Sequence, residues 1–223
     1  MKIRELLGTA QVPGGDELRL FRRGDDFIIA VEGNELMSSR MSGSEEALAT
    51  MTCDRLRSPD AAHLLIGGYG MGFTLRAALA TLGPDARITV SELVPGIIDW
   101  ARGPMAELAA NCLDDPRVEL VLQDVAIVIG AATRRYDAIL LDVDNGPDAL
   151  TRAANDQIYS PSGLAIAKAA LRPGGILAIW SAAPDARFMR RLSAAGFQVE
   201  EVGVRARSNG KGPRHVIWFA RAA

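Results

Sequence analysis

Apolar residues follow two rhythms along the chain, and the change between them divides it. Over the first 60 positions the pattern alternates. Residues 17–22 and 27–31 read as two strands around Arg23-Gly24-Asp25-Asp26, which predicts a β-hairpin. Glu32-Gly33-Asn34-Glu35 makes a second turn leading into Leu36-Met37. A helix over 44–54 follows, with Ser44 as its cap and Glu45 and Glu46 in its first turn. Arg57-Ser58-Pro59-Asp60 links this part, residues 1–60, to a second domain over 61–223.

From 61 onward, short apolar runs alternate with helical patterns. Strands are predicted at 64–67, 87–91, 118–122, 136–142 and 176–180, and helices at 72–82, 95–110, 125–130, 162–171 and 185–195. The run Ile139-Leu140-Leu141 is apolar throughout, as in a strand buried on both faces. Arg172-Pro173-Gly174-Gly175 closes one helix, and residues 197–205 and 215–221 read as a closing pair of strands. Ser208-Asn209-Gly210-Lys211-Gly212-Pro213 in the linker 206–214 predicts a mobile loop. The fold class is α/β, a doubly wound, mostly parallel seven-stranded Rossmann-like sheet with one antiparallel edge, preceded by a small β-hairpin and helix extension.

The chemistry gathers where the predicted strands end. Residues 63–79 read as strand, tight turn and helix, with glycines at 67, 68, 70 and 72. Such a turn lets a ligand approach the backbone, and the helix behind it favours an electron-rich group. Nucleotide, dinucleotide and adenosyl sites all use this device. Glu92 ends the next strand 20 positions after Gly72, the spacing at which an acid meets ribose hydroxyls. Gln123-Asp124 ends the third strand and Asp142 the fourth, so four successive strand ends carry glycine or acid.

Composition narrows the classes. Of 223 residues, 48% are hydrophobic and 23% charged, enough for a substantial core. A net charge of −2 offers no general attraction to nucleic acid or an anionic membrane. Cys53 and Cys112 lack metal-ligand spacing, which predicts free thiols, no metal and a reducing cytoplasm. No segment reaches transmembrane length.

The whole constellation resembles the class I S-adenosylmethionine-dependent methyltransferase fold and, within it, the spermidine-synthase-like family, over about residues 17–221. The resemblance implies that Gly67, Gly68, Tyr69, Gly70 and Gly72 cradle the amino-acid end of S-adenosylmethionine or its decarboxylated form. It also implies that Glu92, beside Leu93, holds the ribose, and that Gln123, Asp124 and Val125 meet the adenine. Asp142-Val143-Asp144-Asn145-Gly146-Pro147 resembles the family's Asp-rich loop, and Tyr159-Ser160-Pro161-Ser162-Gly163-Leu164 its return into a helix. A homodimer acting on a small-molecule acceptor is implied as well.

Three departures set the functional expectation. The family's usual Gly-Gly-Gly-Asp-Gly-Gly turn here contains no acid. Its Tyr-His-Glu reads Ser44-Glu45-Glu46, and the Asp-rich loop is two residues shorter. These departures favour methyl transfer from S-adenosylmethionine to a small acceptor. The alternatives are aminopropyl transfer to a diamine from the decarboxylated donor, as in polyamine synthesis, and a non-catalytic nucleoside-binding dimer. A nicotinamide enzyme is disfavoured by the glycine spacing.

Asp142 is the leading catalytic candidate, against a role as a loop anchor. Asp144, Tyr159 and Glu46 are the further catalytic candidates, Tyr159 standing equally for packing and Glu46 for helix stabilisation. Glu45 is read as a helix-stabilising acid. Arg40 disfavours a cationic polyamine if it faces the pocket, and Trp180 is a candidate lid. Arg205, Arg207, Lys211 and Arg214 read as a solvated hairpin, and His215 has no assigned role.

Overall fold

The computed structural model describes residues 3–143 and 157–222. The N-terminal part is a four-stranded antiparallel sheet, β1 (Glu5–Gln11), β2 (Glu17–Arg23), β3 (Asp26–Val31) and β4 (Asn34–Ser38), paired in that order. In β2, Leu18 and Leu20 point inward between exposed Glu17 and Arg19, the alternation a one-sided sheet requires. The expected hairpin is present, and β1 is an additional strand on its edge.

Helix α1 (Gly43–Cys53) packs against α2 (Phe73–Thr81) and against the second sheet. That sheet has seven strands: β5 (His63–Gly67), β6 (Arg87–Ser91), β7 (Val118–Val121), β8 (Tyr136–Leu141), β9 (Leu171–Ser181), β10 (Phe197–Arg205) and β11 (Arg214–Ala222). Their order is β10-β11-β9-β8-β5-β6-β7, with β11 antiparallel to both neighbours and β5 to β9 parallel. The chain winds from β5 out to β7, then returns to β8 on the other side of β5. The winding therefore reverses between β5 and β8, where sheets of this kind open a ligand crevice beyond their carboxyl ends.

Two expected elements differ. The predicted helix over 95–110 is two pieces, α3 (Pro95–Arg102) and α4 (Ala106–Ala109), because Gly103 leaves helical geometry ahead of Pro104. The segment 172–175, expected to link a helix to a strand, belongs to β9, with a register shift opposite Tyr136 and Ala138. The remaining helices are α5 (Val125–Gly130), α6 (Pro161–Ala170) and α7 (Ala186–Ala194).

One apolar core runs without a break from Leu18, Leu20 and Ile29 of the small sheet through Met71 and Phe73 to Ile66 and Val90. A second core, on the other face of the large sheet, holds Leu65, Ile139, Phe188 and Trp218. Cys53 and Cys112 are buried free thiols. No helix among the described residues is long and apolar enough to cross a membrane.

Candidate active site

A cavity of about 480 Å³ opens at the carboxyl ends of β5, β6, β7 and β8, within the range of roughly 300–1,000 Å³ usual for small-molecule sites. Its floor carries Gly68, Gly70, Glu92, Leu93, Gln123, Asp124, Val125 and Asp142. The small sheet closes the other side with Val12, Leu18, Val31, Leu36 and Met37.

Backbone hydrogen bonds hold the floor together. Gly68 N–H donates to the Ser91 carbonyl (2.9 Å), Glu92 N–H to Val121 (3.0 Å), and the Ser91 hydroxyl to the Gln123 carbonyl (2.7 Å). Gly68 has φ +85°, and a Cβ there would lie 2.8 Å from the Asp142 carbonyl oxygen, so only glycine fits where β5 and β8 meet.

Glu92 is buried, and each of its carboxylate oxygens already accepts one backbone N–H. Tyr69 donates to Oε2 and Val94 to Oε1, both at 2.8 Å. Burial raises the Glu92 pKa, and those amides pull it back. Each oxygen keeps a second lone pair, so the group can anchor the glycine turn and still accept from vicinal hydroxyls. Asp124 caps α5 by accepting from Ala126 N–H through Oδ1 at 2.8 Å. Its Oδ2 has no hydrogen bond among the described residues.

Asp142, at the end of β8, lines the cavity, and burial raises its pKa to about 7. Glu45 in the first turn of α1 is its electrostatic partner. Burial raises the Glu45 pKa well above the usual carboxylate range, with further repulsion from Asp142 and then Glu46.

Other expected positions are not at the cavity. Gly67 is a packing glycine, since a Cβ there would press within 2.8 Å of Val125. Tyr69 turns its ring into the core, its hydroxyl 3.5 Å from the Cys112 sulfur, and Gly72 sits against that ring at the start of α2. Tyr159 does not present its hydroxyl over the cavity. It is buried in the second core, edge-on to Phe188, and its carbonyl accepts from Arg191 at 3.1 Å. Asp144 and Asn145 lie outside the described residues.

Around α1 the sequence reading needs correction. The helix begins one residue early, and Ser44 makes no cap; its hydroxyl pairs with His215 Nδ1 at 2.9 Å. His215 also meets Trp180 edge-on at 4.8 Å between ring centres, and burial lowers its pKa. Glu45, expected only to stabilise the helix, is an acid whose pKa burial and then the neighbouring Asp142 raise. The signal was present in the sequence: Glu45 shares a helical face with Ala49 and Cys53, both buried. Arg40 pairs with Asp26 at 3.5 Å and does not line the cavity.

A family model for the spermine/spermidine synthase domain matches residues 44–187, well over half of the chain. The chain belongs to the spermine/spermidine synthase family. Within this family, the polyamine aminopropyltransferase of Mycobacterium tuberculosis is 29% identical over 194 residues, covering 82% of this chain and 35% of that protein. Putrescine N-methyltransferase 2 of Nicotiana attenuata is 39% identical over 122 residues, 53% of this chain and 30% of that protein. The chain thus spans about a third of the length of these curated relatives. A spermidine synthase from Thermotoga maritima superposes with a TM-score of 0.79 at 19% identity, covering 98% of this chain and 73% of that one. A spermidine synthase bound to the transition-state analogue AdoDATO gives 0.81 at 20% identity, covering 98% and 74%. Both establish the same fold.

Proposed function

We propose that this protein transfers an alkyl group from the sulfonium of an adenosyl donor to a primary amine, with aminopropyl as the group and decarboxylated S-adenosylmethionine as the donor. The reading rests on one observation above the rest: a cavity at the winding reversal runs from Glu92 and Asp124 to an acid, Asp142, whose carboxyl is raised to about 7. The residues suit the group. Glu92 retains acceptor capacity for ribose hydroxyls, Asp124 Oδ2 for an exocyclic amino group, and Gly68 and Gly70 present bare backbone.

The donor supplies an activated carbon and a neutral thioether leaving group. What remains for the protein is to hold the amine in line and to free its lone pair. An ammonium is not a nucleophile, and a carboxylate with a pKa near neutrality can take its proton at working pH. Asp142 is the group for that step. The relative aligned over 82% of the chain is an aminopropyltransferase, which favours aminopropyl over methyl as the transferred group.

Methyl transfer to an amine is the second reading. The glycine turn carries no carboxylate to discriminate against S-adenosylmethionine, and the Nicotiana relative is a putrescine N-methyltransferase. Titration calorimetry with S-adenosylmethionine, its decarboxylated form and methylthioadenosine separates the two, with mass spectrometry of products formed from putrescine. Tighter binding of the decarboxylated form and a mass gain of one aminopropyl group are expected. Preference for S-adenosylmethionine with a methylated product would establish the second reading, and binding of none would defeat both.

A further inference from the structure

A second cavity, open to solvent and about 450 Å³ in volume, shares no lining residue with the first. Its walls are α2 and the short helical turn Cys112–Asp114, which packs against that helix. Ala110 and Asn111, both at left-handed φ (+49° and +54°), lead the chain from α4 into this wall. The Cys112 sulfur lies 3.5 Å from the Tyr69 hydroxyl, so the residue between Gly68 and Gly70 of the first cavity reaches the wall of the second.

The charged residues around this cavity are partnered unevenly. Asp115 is committed to Arg117, which donates from Nε to Oδ1 at 2.9 Å and from Nη2 to Oδ2 at 2.8 Å. Arg117 also donates to the Leu79 and Leu82 carbonyls at the end of α2. Arg76 and Asp114 have no such partners. The Arg76 Nε is sealed from solvent without an acceptor, and its guanidinium lies 5.1 Å from the centre of the Phe73 ring. Among the described residues no hydrogen bond or ion pair reaches that guanidinium, and its terminal Nη groups are the donors left accessible. Asp114, exposed on the facing turn, is in no ion pair among the described residues, so the two charges do not neutralise each other. The Asn111 side chain makes no hydrogen bond among them either. The rest of the lining is apolar, from Leu79, Ala110 and Cys112.

A guanidinium whose Nε is withdrawn from water without an acceptor is poorly compensated for its charge. Packing against Phe73 holds it in place before any ligand arrives, which lowers the entropic cost of binding there. A fixed cation and a separate, unpaired carboxylate in one small cavity complement a molecule that carries both charges. An inorganic anion would satisfy Arg76 but meet Asp114 as a like charge, and a simple amine would do the reverse. A zwitterion meets neither repulsion, and the apolar lining receives a hydrocarbon side chain.

We propose that this cavity is a second ligand site, selective for a free α-amino acid with an apolar side chain, whose carboxylate accepts from the Arg76 Nη groups and whose ammonium donates to Asp114. The inference is independent of the amine-transferase reading, because the two cavities have no lining residue in common.

Titration calorimetry with leucine, and with isocaproate as its analogue lacking the ammonium, tests the site in wild type, Arg76→Gln and Asp114→Asn. Glutamine suits a helix as well as arginine does, and it removes the sealed, unpaired Nε. Asp114 is exposed, so both variants are expected to keep the wild-type melting temperature. Wild type is expected to bind leucine saturably and isocaproate roughly tenfold or more weakly, and each substitution to weaken leucine by roughly tenfold or more. No saturable binding of leucine to wild type overturns the proposal, as does a leucine affinity that either substitution leaves unchanged. Equal affinity for leucine and isocaproate overturns it as well, since a site for a plain anion would then account for the binding. Should Arg76→Gln fail to fold, the exposed Asp114→Asn variant alone decides.

Discussion

Burial raises the Asp142 carboxyl to about 7, whereas an aspartate in the unfolded chain titrates near about 3.9. Between those values the folded protein holds a proton that the unfolded chain has released. The Asp142 contribution to stability is therefore fully present below the lower value and is lost as pH rises through the upper one. Glu45, also raised, acts in the same direction. Asp142→Asn is thus expected to melt higher than wild type at pH 8 and to lose that advantage at pH 5, which scanning calorimetry at the two pH values will read. An equal shift at both would mean that Asp142 is not protonated in the fold. Glu92 behaves oppositely on substitution. Glu92→Gln must turn an amide N–H₂ toward a backbone donor, Tyr69 or Val94 N–H, so a loss of about 1–3 kcal/mol is expected in denaturant unfolding, with weaker methylthioadenosine binding. Strand-end acids such as Glu92 and Asp142 are legible from sequence because one rule of sheet topology gathers them. Glu45 was readable only by placing it on the face of Ala49 and Cys53, and Tyr159 stayed open between ligand and packing because a tyrosine beside a loop motif has the same appearance whether it faces ligand or core.

Among the elements, strands with clear alternation or continuous apolar runs were readable, and β1 was not, since most of its residues are exposed and no side is consistently apolar. Its place is set instead by close backbone approach. A Cβ on Gly8 would lie 2.8 Å from the Trp100 ring nitrogen, and one on Gly96 would lie 2.5 Å from the Ala10 Cβ. These two glycines let β1 settle on α3, which in turn carries the small sheet over the cavity. Gly96→Ala should push the two apart, costing about 1–3 kcal/mol in unfolding free energy and weakening methylthioadenosine binding together. Unchanged affinity with reduced stability would mean that the small sheet does not determine the shape of the ligand site. The break in the 95–110 helix was also written in the chain, as Gly103-Pro104, but a helical period that resumes at once on the far side conceals it.

At the level of the whole molecule, the small sheet and the large one share a single apolar core, so the cavity between them is walled by one cooperative unit. The start of α1 is clasped by the opposite end of the chain: Gly43 N–H donates to the Ala206 carbonyl at 2.9 Å, and Ser44 meets His215 across 171 positions. A Cβ on Gly43 would fall 2.3 Å from the backbone of Arg207, so this seam admits nothing larger. A ribosome releases Glu45 well before the residues that clasp it. The sheet can assemble the floor of the cavity from β5 to β8 while synthesis continues, but the first turn of α1 gains its anchor only when the β10–β11 hairpin has emerged. A nascent chain of this protein thus gains the strand ends that floor the cavity before the seam that holds the start of α1.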